Sequence, residues 1–191
     1  MVMTQNGVLK RDDNDSPVMG GVSSVDGVTI INSAFDPVTR RLLVDTSVTG
    51  FGLTTTLSDG EYSGITIAGT AGATLAFGDL VYLDPTDSRW ELTDANSAQG
   101  ADGDCRGSLG ICVLAAAADG SATTILTYGV VRADTAFPTM TINNQIYVSE
   151  TAGDITGTQP STSGVVIRVV GYGRTADTLF FNPSGDYLTH V

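Results

Sequence analysis

From Phe51 to the last residue, short apolar runs alternate with turn-forming residues, and no run has the length and spacing of an amphipathic helix. The candidate strands are Leu53–Leu57, Ile65–Ala68, Leu80–Leu83, Arg89–Leu92, Leu109–Ala115, Thr123–Val131, Gln145–Ser149, Val165–Val170 and Thr178–Asn182. The connectors carry Asp59-Gly60, Asp84-Pro85, Asp119-Gly120, Ala152-Gly153-Asp154 and Pro183-Ser184-Gly185. Many short strands joined by such turns predict an all-β sandwich or barrel-like domain. In Thr123–Val131 both alternating faces are fairly apolar, so that strand is expected to be buried on both sides. Ala115–Ala118 has the composition for one helical turn. The residues that dress exposed helix faces are scarce: Lys10 is the only lysine, and charged residues are 16% of the chain.

Residues 1–50 read differently and are expected to form an extended N-terminal arm ahead of a β-rich domain at 51–191. Four of the nine basic residues fall there (Lys10, Arg11, Arg40, Arg41) with six acids, so the arm is less acidic than the rest. Val28–Ile31 and Leu42–Val44 each have strand composition, with an Asp36-Pro37 turn between them. Two such strands bury no core alone. They belong either to a larger sheet or to an arm that adds a strand to another chain through backbone hydrogen bonds.

The formal net charge of −12 opposes binding to phosphate backbones and anionic lipid, so neither nucleic acid nor membrane is an expected partner. It also keeps a crowded protein soluble. No stretch suits a bilayer span, and Thr4, Gln5, Asn6, Lys10 and Arg11 interrupt any leader-like apolar run after Met1. Cys105 and Cys112 could close a short disulfide loop or be two small buried residues, and the second reading is preferred.

Several patterns invite a chemical reading. Asp45-Thr46-Ser47 follows an apolar strand, as in aspartic proteases, where two such loops share one proton. Asp-Thr recurs at Asp134-Thr135 and Asp177-Thr178, but Ala136 and Leu179 fill the place where Gly or Ser is needed. Gly171-Tyr172-Gly173-Arg174-Thr175-Ala176 fits a dinucleotide fingerprint in outline, yet a strand follows it where a helix is needed, so a hairpin turn is expected. Gly103-Asp104-Cys105-Arg106-Gly107 resembles a nucleophile elbow without its strand and helix. The one histidine, His190, lies near the C-terminal end, where exposure and mobility are expected. Asp12–Asp15 lacks the glycine and distal acid of a calcium loop, and Asp102 with Asp104 runs out of oxygen ligands. Both are expected to be solvated acidic loops, with a calcium site between subunits left open. Trp90 and Tyr82 sit at strand positions suited to packing. No catalytic, cofactor or metal residue is assigned on this reading.

Two segments carry a resemblance. One comprises Arg11–Asn14, Pro17-Val18-Met19-Gly20-Gly21 through Gly27, and Asp36-Pro37-Val38-Thr39-Arg40-Arg41 through Val44. The other comprises Gly78–Leu83, Trp90–Ala95, Gly110–Cys112, Ile146–Gly153, Val169–Tyr172 and Phe180–Tyr187. Together they resemble tailed-bacteriophage virion surface proteins of the capsid-decoration, head-fibre and tail-fibre type. The resemblance implies a non-enzymatic structural protein, made in the host cytoplasm and displayed on the virion surface. Its arm would bind the major capsid protein or another virion scaffold, and the protein would associate as a homotrimer. It implies no cofactor. A tail-fibre module that binds a host receptor or glycan is the first alternative, and an aspartic protease using Asp45 the second.

Overall fold

The structure, a computed structural model, describes residues 52–191. The expected arm at 1–50 and the Asp45 loop lie outside the described residues. The described chain contains no helix. Its strands are β1 (Tyr62–Thr70), β2 (Leu80–Leu83), β3 (Trp90–Leu92), β4 (Leu109–Leu114), β5 (Ala122–Arg132), β6 (Gln145–Val148), β7 (Ile155–Thr156), β8 (Val166–Ile167), β9 (Val169–Gly173), β10 (Thr178–Phe181) and β11 (Leu188–Thr189). Nine of them form one antiparallel sheet curled into a half-barrel, and β8 pairs with β11 in a small second sheet.

The eleven-residue β5 is the spine. One of its edges is taken by β1 from Tyr62↔Val131 to Thr70↔Ala122. The other edge is shared, with β10 alongside Gly129–Arg132 and β4 alongside Thr124–Leu126. The sheet therefore forks at Thr127-Tyr128 into two wings, β4-β2-β3 and β10-β9-β6-β7.

The fork coincides with a bulge. Ile65 opposes Tyr128 but Thr66 opposes Leu126, so Thr127 is the extra residue in β5 and β1 runs straight. An extra residue inverts the alternation of faces. Leu126 and Val131 thus both reach the main core despite their odd separation, while Tyr128 points outward. At the bulge Gly64 opposes Gly129. Gly129 has φ +146°, and a Cβ there would lie 2.3 Å from the Ser63 carbonyl oxygen, so only glycine lets the two backbones meet.

The main core fills the hollow of the half-barrel, with Leu80, Ile111, Leu126, Ile146, Val148, Val170, Leu179 and Phe181 among its members. A satellite core lies on the other side of the first wing, built from Ala71, Leu75, Val81, Trp90, Cys112, Ala116 and Ile125. Neighbouring residues therefore serve opposite cores: Leu80 and Val81, Ile111 and Cys112, Leu126 and Ile125. Burial of β5 on both sides holds at Ile125 and Leu126 before the fork and at Val130 and Val131 after it; the exception is the bulge itself, where Tyr128 is exposed.

The two ends of the curled sheet are joined by loop residues rather than by a strand ladder. Leu80 N donates to Gly153 O (2.7 Å), Gly153 N to Thr93 O (2.9 Å), Ala95 N to Ser149 O (2.8 Å) and Val166 N to Ala95 O (2.8 Å). Gly153, at φ +82° and against the Leu92 side chain, permits this close approach.

Three local expectations change. Leu53–Leu57 is not a strand, because the chain there only flanks the start of β1, where Thr54 N donates to Ser63 Oγ (2.8 Å). Ala115–Ala118 makes no helical turn; Ala116 and Leu75 exchange two backbone bonds of 2.9 Å that close the satellite core. Val165–Val170 is broken at Arg168 into β8 and β9.

Candidate functional site

Most residues singled out for chemistry have structural work. The β5–β10 pairing brings Asp134-Thr135 and Asp177-Thr178 together, and Ala133 N donates to Asp177 O (3.2 Å). A shared-proton dyad needs a carboxyl that holds its proton. Asp134 instead accepts two bonds from Arg132 (Nε 2.6 Å, Nη2 3.0 Å), and these bonds hold its carboxyl below the usual value. Gly171 and Gly173 lie in β9, and Arg174–Asp177 turns directly into β10, the hairpin expected for that motif.

Cys105 and Cys112 are free thiols in the main and satellite cores respectively, so no disulfide joins them. Burial pushes the Cys105 thiol up to about 11, too high for a ready thiolate nucleophile. His190 is half-buried rather than exposed: its backbone N–H donates to Val165 O (2.8 Å) and its carbonyl accepts from Gly164 N (2.7 Å).

The loop at 94–107 is acidic but not merely solvated. Asp94 Oδ1 accepts from Asn96 N and Ser97 N, and Thr93 Oγ1 donates to Gly103 O (2.6 Å). Asp104 accepts from Gly100 N (2.7 Å), Arg106 N (3.0 Å) and Arg106 Nη1 (2.8 Å). Burial alone would raise the Asp104 carboxyl, but these donors outweigh it and leave it below the usual value. Arg106 also lies over the Tyr187 ring, 5.7 Å from its centroid.

Behind this loop Arg168 is buried, a position that sequence reasoning missed. Its Nε donates to Ser184 O (2.9 Å), and Nη1 donates to Gly107 O (2.6 Å) and to Cys105 O. Among the described residues it has no carboxylate ion pair. Burial lowers its basicity. The charge satisfies three carbonyls of two segments that have no ladder partners, which makes it a staple.

One oxygen cluster fits a hard cation. On the β2–β3 turn, Asp84, Asp87 and Glu91 each offer an oxygen, all within 4.8 Å of one another. Glu91 is raised by burial and then by repulsion from Asp84, Asp87 and more distant acids. Asp84 is lowered, first by the bond from Thr86 N (2.6 Å). Arg89 lies beside Asp87 (3.5 Å) and bonds Asp119, so protein cations already supply part of the counter-charge. The spacing Asp84…Asp87…Glu91 could have been noticed in the sequence, but it follows no calcium-loop pattern.

The outer face of the second wing is a different kind of surface. Tyr82 and Trp90 are buried, in line with their expected packing role. Tyr128, Phe180 and Tyr172 instead face away from the main core on β5, β10 and β9. Phe180 stands edge-on to Tyr128, with centroids 5.4 Å apart, and opposes Tyr172 in register. Gln145 of β6 opposes Tyr172 in turn. Beside this row Asn143 adopts φ +66°, its N–H donating to Gly173 O (2.7 Å).

Comparison with protein-family models, curated proteins and solved structures finds no match. Among the described residues no helix is long and apolar enough to cross a membrane.

Proposed function

We propose that this chain is a non-enzymatic structural protein of a tailed-phage virion surface, a capsid-decoration or head-fibre protein that docks through residues 1–50 and associates with sister copies. The observation that carries the assembly part is β1. This nine-residue strand contains no charged residue and no proline, and among the described residues it pairs only with β5. Ile65 and Ile67 on it are 48% and 49% exposed. Soluble proteins guard such edges with lysine, proline or bulges, and here the bulge lies in β5, leaving β1 straight. In a chain of net charge −12, an uncharged edge is where two like copies approach with least repulsion. The virion assignment rests on the sequence resemblance.

Sedimentation of the full chain tests the association. An assembly that Ile67→Lys dissociates supports it, and a wild-type monomer at all concentrations refutes it. Pairing of β1 with β1 gives a two-fold dimer, whereas a trimer joins this edge to a different surface of the next copy. Immunogold labelling of purified phage particles tests the location: gold on the head supports the proposal, and absence from particles overturns it. Removing residues 1–49 is expected to leave a folded domain that no longer binds particles.

A further inference from the structure

We propose that the outer face of β10, β9 and β6 binds the pyranose rings of a neutral oligosaccharide. Two adjoining depressions mark the surface. One is lined by Ile142, Asn143, Tyr172, Gly173, Arg174 and Phe180, and the next by Asn143, Asn144, Gln145, Tyr147, Gly157 and Gln159. Asn143 belongs to both.

The chemistry selects the ligand. Twenty-one acids are distributed through the chain, yet neither depression is lined by one. What lines them is aromatic rings, side-chain amides and a single guanidinium. A pyranose has an apolar C–H face that packs on a ring and pairs of hydroxyls that match the donors and acceptors of amides. Tyr172 is 39% exposed and stands beside Phe180 on the neighbouring strand, which is itself edge-on to Tyr128, so the rings form a row on one face. Asn143 is fixed in the left-handed region by its backbone bond to Gly173, and its side-chain amide makes no hydrogen bond among the described residues. Arg174 forms no ion pair among the described residues. Asn143 and Arg174 are thus available to hydroxyls without first breaking a bond, which lowers the cost of binding, while Gln145 Oε1 already accepts from the Tyr147 hydroxyl (2.8 Å) and offers only its amide N–H groups. Strands about 4.8 Å apart carry the row from Tyr128 through Phe180 and Tyr172 to Gln145, so it offers successive platforms to a linear oligomer.

Competing ligands fit less well. Single-stranded nucleic acid also stacks on aromatics, but it needs a groove of cations, and Arg174 is the only cation lining the two depressions in a chain of net charge −12. Sialylated sugars meet the same repulsion. The inference stands apart from the assembly role, because it uses the second wing and not β1.

The full chain on a printed array of neutral hexose and N-acetylhexosamine oligomers beside sialylated ones provides the test, followed by calorimetric titration of the strongest neutral oligomer. Tyr172→Ala is expected to weaken that binding at least ten-fold. Asn143→Gly, which keeps the backbone conformation, is expected to weaken it several-fold. Ile67→Lys on the β1 edge should leave it unchanged. Binding to no neutral oligomer, binding only to sialylated ones, or full retention by Tyr172→Ala would overturn the proposal. So would a Tyr172→Ala variant whose only change is loss of self-association, which would make this face a contact between copies.

Discussion

The two wings that leave β5 are built alike yet finished differently. The β4-β2-β3 wing is buried on both faces, because the strap after β1 folds back across it. Ala71 N bonds Ser121 O, Gly72 N bonds Trp90 O, and Leu75 locks onto Ala116. Trp90 completes the cover by lying over Gly69, where a Cβ would come within 2.6 Å of the indole. The β10-β9-β6-β7 wing has no such strap among the described residues. The difference is written in the outward positions. On the first wing they are Val81 and Cys112, with Ile125 of β5 beside them, which require shelter. On the second they include Tyr172, Gln145 and Tyr147, which carry polar ends and tolerate a wet face. A single sheet thus combines a sealed half that supplies rigidity with an open half that is free to meet something.

That contrast can be tested by substitution. Trp90→Ala removes the keystone of the satellite core and is expected to cost about 4 kcal/mol in urea unfolding. Arg168→Leu strands the carbonyls of Cys105, Gly107 and Ser184 and should cost about 3 kcal/mol by the same measurement. Gly129→Ala pushes a Cβ into the Ser63 carbonyl at the fork and should cost about 2 kcal/mol, with faster amide exchange in β1. Asp104, whose carboxyl is depressed in the folded chain, stabilises its loop fully above the unfolded value near 3.8. That contribution is lost as pH falls below this value through the folded one, so exchange of the Gly100 amide should accelerate there. Tyr172→Ala on the open face should change stability by less than about 0.5 kcal/mol. A cost for Tyr172→Ala near that of Trp90→Ala would erase the distinction between the wings.

The strand alphabet was readable because apolar runs and turn residues have fixed periods and positions. Leu80–Leu83 is β2 to the residue, and β4, β5, β6 and β10 fall within a residue or so of their expected limits. What escaped depends on partners distant in sequence. The bulge at Thr127 is set by where β1 pairs, so no local pattern announces it. Ala115–Ala118 has helical composition but is claimed by Leu75, some forty residues earlier. Leu53–Leu57 has strand composition but acquires no ladder. Arg168 interrupts the apolar run Val165–Val170; only the carbonyls of two distant segments reveal its burial. The aromatics divided in the same way. Tyr82 and Tyr172 both sit in strands, and Tyr82 is buried because it points into the main core while Tyr172 points away from it.

The loop seam that closes the half-barrel has a consequence for how the molecule opens. Its bonds join Leu80 to Gly153, Thr93 to Gly153, Ala95 to Ser149 and Ala95 to Val166, all far apart along the chain and outside any ladder. Contacts of such long range are the slowest to be reached in folding, and isolated bonds are the cheapest to release. The seam should therefore zip last and unzip first, so that the native ensemble contains a minor uncurled form with an intact β5 spine.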